Sequence, residues 1–379
     1  MSVAVVPNCL RGTASADTVA HALGRGAGTA PGVGEVVLLP AADGGDGTTD
    51  VLARSPGAVR HVLPVSDALG RRKNASWLLM TETTAVVESA ASCGLASLRP
   101  AELDPLRATS AGVGEMIAAA VEAGARHILL GAGGTAYVDA GAGALGALGA
   151  RFFDATGATL PPVPWALRDV ASVDLRPAIR RLGDVTIQVL ADVRIGLDES
   201  IGRFGRQKGV TEANRGVLAE TLARIVRVLA ADEHRLWSSG AERLWTRPWL
   251  GAGGGVGAGL ATVATTSGES GALRVLDLLG AMPAVLESDV AITAEGRVDA
   301  TTWLGKLPGT VASLRTARGL PTVIVAADAD LSGGAPEGGL VKILPFGADA
   351  QGEPPPSLAD MLASTGARAC TGRTATGHD

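Results

Sequence analysis

Aromatic side chains are scarce in this 379-residue chain, at 3%, so its core has to be built from Val, Leu, Ile and Ala. Cysteine is scarcer still. Cys9, Cys93 and Cys370 are an odd, widely spaced set with no C-x-x-C pair, which supports neither a zinc site nor a disulfide framework and suits a reducing cytoplasm. Positive charge is not in excess either: a formal charge of −5 argues against general affinity for nucleic acid or anionic membranes. No apolar run has the roughly 18 uninterrupted residues of a membrane span. The opening MSVAVVPNCLRG lacks the basic region and longer apolar stretch of a signal peptide. No repeat with a period of about 20–50 residues is visible. The histidines (His21, His61, His127, His234 and His378) stand away from every glycine-rich loop, so a Ser-His-Asp hydrolase or a His-ligated metal is poorly supported.

What is present is apolar residues, at 46%, and 52 glycines without the period of collagen. At roughly 150 residues per domain, the length suggests two to three domains. Short apolar strands alternate with amphipathic helices. Strands are expected at 3–6, 35–40, 61–65, 85–89, 126–130, 185–190, 289–293, 321–325 and 341–344, with a partly antiparallel region around 61–89. Helices are expected near 17–26, 48–54, 111–124, 218–231 and 310–318. Gly/Pro-rich loops are expected near 331–339 and 350–357, and a loose tail over 366–379. The β-loop-α alternation predicts an α/β protein with largely parallel sheets.

In such sheets ligands gather beyond the carboxyl ends of the strands, and five loops there carry unusual residues. In Pro7-Asn8-Cys9-Leu10-Arg11-Gly12, the Asn8 amide and Arg11 guanidinium suit a bound acid, or form a plain polar turn. In Asp43-Gly44-Gly45-Asp46-Gly47-Thr48, carboxylates suited to Mg²⁺ or a substrate hydroxyl sit among glycines, or Asp46 and Thr48 simply cap a helix. Gly133, Gly134 and Thr135 follow a strand and precede a helix, as a phosphate site would, although helix–sheet packing explains glycines equally well; Asp139 lies just beyond. Asp192, at a strand tip, could take a hydroxyl proton or hold Mg²⁺, and Lys208 downstream is either a phosphate contact or a solvated lysine. Glu295, Arg297, Asp299 and Lys306 crowd the fifth loop, where surface salt bridges are the alternative. The run Gly253-Gly254-Gly255 could wrap a nucleotide or open a crowded helix. Trp237, Trp245 and Trp249 suit packing rather than stacking on a ligand.

Taken in order, these loops resemble the bacterial type I glycerate kinases over residues 3–365. The matching segments are ADGGDGT at 42–48, VSDALGRR at 65–72, VVESAASCGL at 86–95, AGVGEMI at 111–117, GAGG at 131–134, ALGARF at 147–152, FGRQKG at 204–209 and, most specifically, SDVAITAEGRVDATTWLGK at 288–306. The resemblance implies a discontinuous flavodoxin-like α/β domain from residues 1–75 and 287–379, an inserted α/β domain at 76–286, and an active site in the cleft between them. It implies ATP, Mg²⁺ and phosphorylation of D-glycerate; position and charge then make Asp192, Lys208 and Asp43 the catalytic candidates, with Asp192 and Asp43 at the metal. Asn8, Arg11, Glu295, Arg297, Asp299 and Lys306 would meet the acid, and Gly133, Gly134, Thr135 and Gly253–Gly255 the nucleotide. The partners expected are ATP and a small hydroxy acid, with no nucleic acid and no membrane; a homodimer is left open.

Several positions depart from the family pattern. Asn8 stands for Asp, Arg11 for Lys, Tyr137 and Val138 for Thr and Asn, Ile195-Gly196-Leu197 for Asn-Pro-Leu, and Ala294 for Gly. These changes, at positions expected to line the cleft, suggest an acid other than plain glycerate, such as a hydroxyphosphonate of secondary metabolism. The lost polar groups also suggest an alternative, a catalytically inactive relative that binds or senses an acid or nucleotide.

Overall fold

The computed structural model describes residues 1–231, 245–330, 339–346 and 358–371. Trp237, His234, His378 and nearly all of the loops expected near 331–339 and 350–357 lie outside them. The chain divides into two compact units, Met1–Asp43 with Ala272–Asp379, and Gly44–Gly271. Among the described residues, no helix is long and apolar enough to cross a membrane.

Strands are numbered in chain order. The first unit holds β1 (Ser2–Val5), β2 (Glu35–Leu38), β12 (Val290–Val298), β13 (Thr322–Ala329) and β14 (Val341–Pro345). They form one parallel sheet in the order β14-β13-β12-β1-β2. Counted within the unit this is 2-1-3-4-5, the flavodoxin-like doubly wound order, with its switch point between β1 and β12. β1 and the first halves of β12 and β13 are buried on both faces, which is why they read as apolar runs. Val3, Val5, Val290, Ile292 and Ala294 pack to one side with Val19 and Leu23. Ala4, Val6 and Ala291 pack to the other with Leu276, Leu307 and Val311.

The expected loose tail is helical as far as Thr371. Helix Leu358–Thr371 places Ala369 and Cys370 in the core beside Val19 and Leu23, so burial overrides a weak local signal. Arg315, in helix Leu307–Thr316, is fully buried and donates to the carbonyls of Val285, Ser288 and Pro321. Arg315→Met would strand those acceptors and is expected to destabilise the fold by about 3 kcal/mol. An unchanged urea midpoint would refute that.

The second unit holds β3 (Val59–Ser66), β4 (Arg72–Leu79), β5 (Thr84–Glu88), β6 (His127–Gly131), β10 (Thr186–Ala191) and β11 (Thr265–Ser270). Their order is β11-β10-β6-β5-β4-β3, parallel from β11 to β5 and antiparallel across β4 and β3. A small antiparallel sheet joins β7 (Arg151–Phe153), β8 (Thr159–Leu160) and β9 (Ser172–Asp174). The boundary expected after residue 75 falls inside β4. β3 is bonded along its whole length to β4 and so belongs to this sheet, and residues 44–58 lie in the same unit.

Candidate active site

In the first unit, functional side chains gather beyond the carboxyl ends of β1, β2 and β12, at the switch point. Asp43 is 5% exposed, and its Oδ2 accepts from Asn8 Nδ2 at 3.0 Å and from the Leu307 backbone N–H at 3.2 Å. Asp43 thus sits at the N-terminus of helix Leu307–Thr316, whose dipole favours a negative charge there. Asn8 Oδ1 accepts from the Cys9 N–H, which fixes which end of the amide faces Asp43. On β12, Glu295 Oε1 accepts from Lys306 Nζ at 2.6 Å and Oε2 from the Thr302 hydroxyl at 3.0 Å. Burial pushes the Glu295 carboxyl above its ordinary range; Lys306 and Thr302 pull against that, and the charge on Asp43 adds to the rise.

The other members of this group lie outward. Asp299 caps the short turn Ala300–Leu304 by accepting from the Thr301 N–H and hydroxyl. Burial raises its carboxyl, but those bonds with Lys306 and Arg297 outweigh it and leave it below the ordinary range. Arg297 is exposed and forms long ion pairs with Asp328 at 3.6 Å and Asp330 at 3.8 Å. Arg11 is exposed on a turn closed by Leu10 and Ala14.

In the second unit the glycine loop after Asp43 lies against the loop after β6. The Gly133 N–H donates to the Gly44 carbonyl at 3.0 Å, and a Cβ on Gly133 would fall 2.7 Å from Gly45 Cα. Only glycine permits that approach. Thr135 is buried beside them and accepts from Lys208 Nζ at 2.9 Å, which also donates to the Tyr137 carbonyl at 3.0 Å and lies over the Tyr137 ring. Lys208 is 4% exposed, so it is not a solvated surface lysine. Asp192 is half-buried at the tip of β10. The run Gly253-Gly254-Gly255 has positive φ at all three residues and packs against the loop 132–140, with Gly254 and Gly255 buried. Its glycines therefore answer close packing.

Asp139 is fully buried and accepts from the Ser110 N–H and hydroxyl and from the Gly141 and Gly143 N–H groups, an anchor for two loops. Burial raises its carboxyl against those bonds. Tyr137 and Val138, expected to line the site, are fully buried, as is Ala294 on the β12 face away from Glu295. At these three positions the departures from the family pattern fall on side chains packed inside their own unit. Sequence reasoning missed the Asn8–Asp43 bond, because nothing in the chain reveals a partner 35 residues away. It also missed Glu88, whose signal was a carboxyl ending an otherwise apolar strand.

A flavodoxin-like sheet with carboxylates and an ammonium at its switch point, and glycine loops beside a buried lysine, defines an α/β enzyme of charged small molecules. Comparison with known proteins narrows this. The model of the glycerate kinase family matches residues 3–349. The chain is 34% identical to glycerate 2-kinase of Escherichia coli K12, over 86% of this chain and 85% of that one. It is 32% identical to glycerate kinase of Bacillus subtilis 168, again over 86% and 85%. A crystal structure from Salmonella typhimurium LT2, of a chain assigned as glycerate kinase 2, superposes with a TM-score of 0.75 at 30% identity, covering 99% of this chain and 98% of that one. The chain belongs to the glycerate kinase family. It is a kinase, a phosphotransferase with an alcohol acceptor.

Proposed function

We propose that the chain moves the γ-phosphoryl group of ATP to a hydroxyl of glycerate or a glycerate-like acid. The observation that carries this is the buried Asp43, held by Asn8 and the Leu307 N–H at the switch point of a glycerate-kinase-family chain. Asp43 and Asp192 are the carboxylates proposed to take the hydroxyl proton or to hold Mg²⁺. Among the described residues no group of three or more His, Cys, Asp or Glu could hold a metal. Mg²⁺ asks for only one or two carboxylates, completing its shell with water and substrate phosphates, so a single hard oxygen donor such as Asp43 fits it. Bound there, it would neutralise charge on the phosphates.

Lys208, beside the loop of Gly133, Gly134 and Thr135, would supply fixed positive charge toward the nucleotide. Arg297 and Arg11 would grip the acid. The long surface pairs of Arg297 are worth little and cost little to leave. Lys306, with Glu295 and Asp299 fixing its surroundings, would meet the same ligand. An arginine in place of the family's lysine at position 11 exchanges a point charge for a planar fork, which suits a phosphonate oxygen pair as well as a carboxylate.

The test is ADP release from Mg²⁺-ATP with D-glycerate, other hydroxy acids and hydroxyphosphonates. Turnover of ~1–100 s⁻¹ on at least one of them is expected. Faster turnover of a hydroxyphosphonate than of glycerate would assign the retuned acid. Silence across the panel with ATP still bound would replace this reading with that of a binding protein.

A further inference from the structure

Glu88 ends β5 and is 6% exposed, yet nothing in the proposed chemistry uses it. Its Oε1 accepts from the Gly47 N–H at 3.1 Å, and its Oε2 from the Thr49 N–H at 2.9 Å and the Thr49 hydroxyl at 3.0 Å. Both carboxylate oxygens are thus spent on the far end of the loop 44–49. The near end of that loop is held by the other glycine loop, through the Gly133 N–H on the Gly44 carbonyl and through the contact of Gly133 with Gly45. The loop lies between Glu88 on one side and residues 131–134 on the other.

We infer that Glu88 is a positioning residue for phosphoryl transfer: its ionised carboxylate clamps the loop 44–49 against the loop 131–134, and the clamp weakens when the carboxylate takes up a proton. A carboxylate offers about four lone pairs to three donors, whereas a carboxylic acid turns one oxygen into a donor that faces N–H groups. Burial pushes Glu88 up to about 7, with the negative charge of Asp46 adding to the rise while the Thr49 and Gly47 bonds resist it. Two of the other carboxylates on elements packed around β5 have partners of their own. Asp50 on helix Thr48–Leu52 is exposed and paired with Arg60, and Glu115 on helix Ala111–Glu122 holds Ser66 and Arg72. β6 offers no titratable side chain from Ile128 to Gly131.

The clamp gives two pH dependences of opposite sign. Because the folded value lies above the ordinary 4.5, the contribution of Glu88 to stability is fully present below 4.5 and is lost as pH rises through about 7. A loosening of the loop that leaves Glu88 buried removes only the Gly47 and Thr49 bonds, which favour the ionised form, so loop order and turnover should instead rise over the same interval. A merely structural carboxyl would move both together.

The experiment is amide hydrogen exchange at Gly47 and Thr49 in the full chain, corrected for intrinsic rates, across the interval around pH 7. Wild-type protection should increase about tenfold from the acid to the alkaline side. In Glu88→Gln, shown folded by circular dichroism, it should be low and flat. Turnover, which rests on the proposed kinase reading, should show the same step in wild type and lose it in Glu88→Gln, with KM for the acid little changed. Wild-type protection in a folded Glu88→Gln would overturn the proposal. So would the absence of any exchange step in wild type, which decides the matter even if the variant does not fold. A chain silent on every acid would sink the kinase reading alone, since the exchange measurement needs no turnover.

Discussion

Asparagine in place of Asp43 is expected to lower turnover by about 10²- to 10⁴-fold, the range typical of a positioned proton acceptor, while the protein stays folded. The amide oxygen can still accept from Leu307 N–H and Asn8 Nδ2, so the local hydrogen bonds survive and only the charge is lost. A second effect follows from the electrostatics. The Asp43 charge is among the causes that raise Glu295, so Asp43→Asn should lower the Glu295 carboxyl toward its ordinary range. An alkaline-going limb governed by Glu295 in the rate profile would then move to lower pH. Turnover within threefold of wild type would show that Asp43 is neither base nor metal ligand and would leave both roles to Asp192.

Lys208→Met should cost about 10²- to 10³-fold in turnover, comparable with removing one preorganised donor from a developing negative charge. Lysine is almost never fully buried without partners, and burying it carries a desolvation cost. Here the ammonium is held by the Thr135 hydroxyl and the Tyr137 carbonyl. Methionine fills most of the volume but leaves the carbonyl without its donor, a penalty of about 1–3 kcal/mol. Removal of a buried charge offsets part of that loss. Stability should therefore fall modestly while turnover collapses, and KM for ATP should rise if the charge faces the nucleotide. Lys208→Arg should not rescue activity, because a planar fork needs more room than a site 4% exposed provides. Full rescue by arginine, or a stability loss large enough to explain the lost turnover, would reduce Lys208 to a structural tie.

The central strands were legible because burial on two faces makes them apolar runs, whereas the edge strand β11, TTSGES, is largely polar and was not placed. β1, β2, β6, β10, β12, β13 and β14 lie within a few residues of their expected places. β4 was not, since RKNASWLL carries its polar half on an exposed hairpin and reads as loop. Helix Leu358–Thr371 was missed for a related reason: it is ordered by contact with a helix more than 300 residues earlier in the chain, and its own sequence is only moderately amphipathic. The glycine loops announced that backbone would come close to something, but glycine signals close approach without naming the neighbour. For Gly253–Gly255 the neighbour is the chain itself.

The sequence by itself determined the class of fold, the family and which charged residues stand at strand ends, because these follow from local periodicity and ordered motifs. Tertiary structure alone decided which of those charges are buried and what they touch. Asp43 meets Asn8 and a helix N-terminus, Lys208 sinks beneath Thr135 and Tyr137, and Arg297 stays in solvent. A charge acquires its chemical character from desolvation and from hydrogen-bond partners brought from distant parts of the chain, and neither is encoded in the spacing of the residues that carry it.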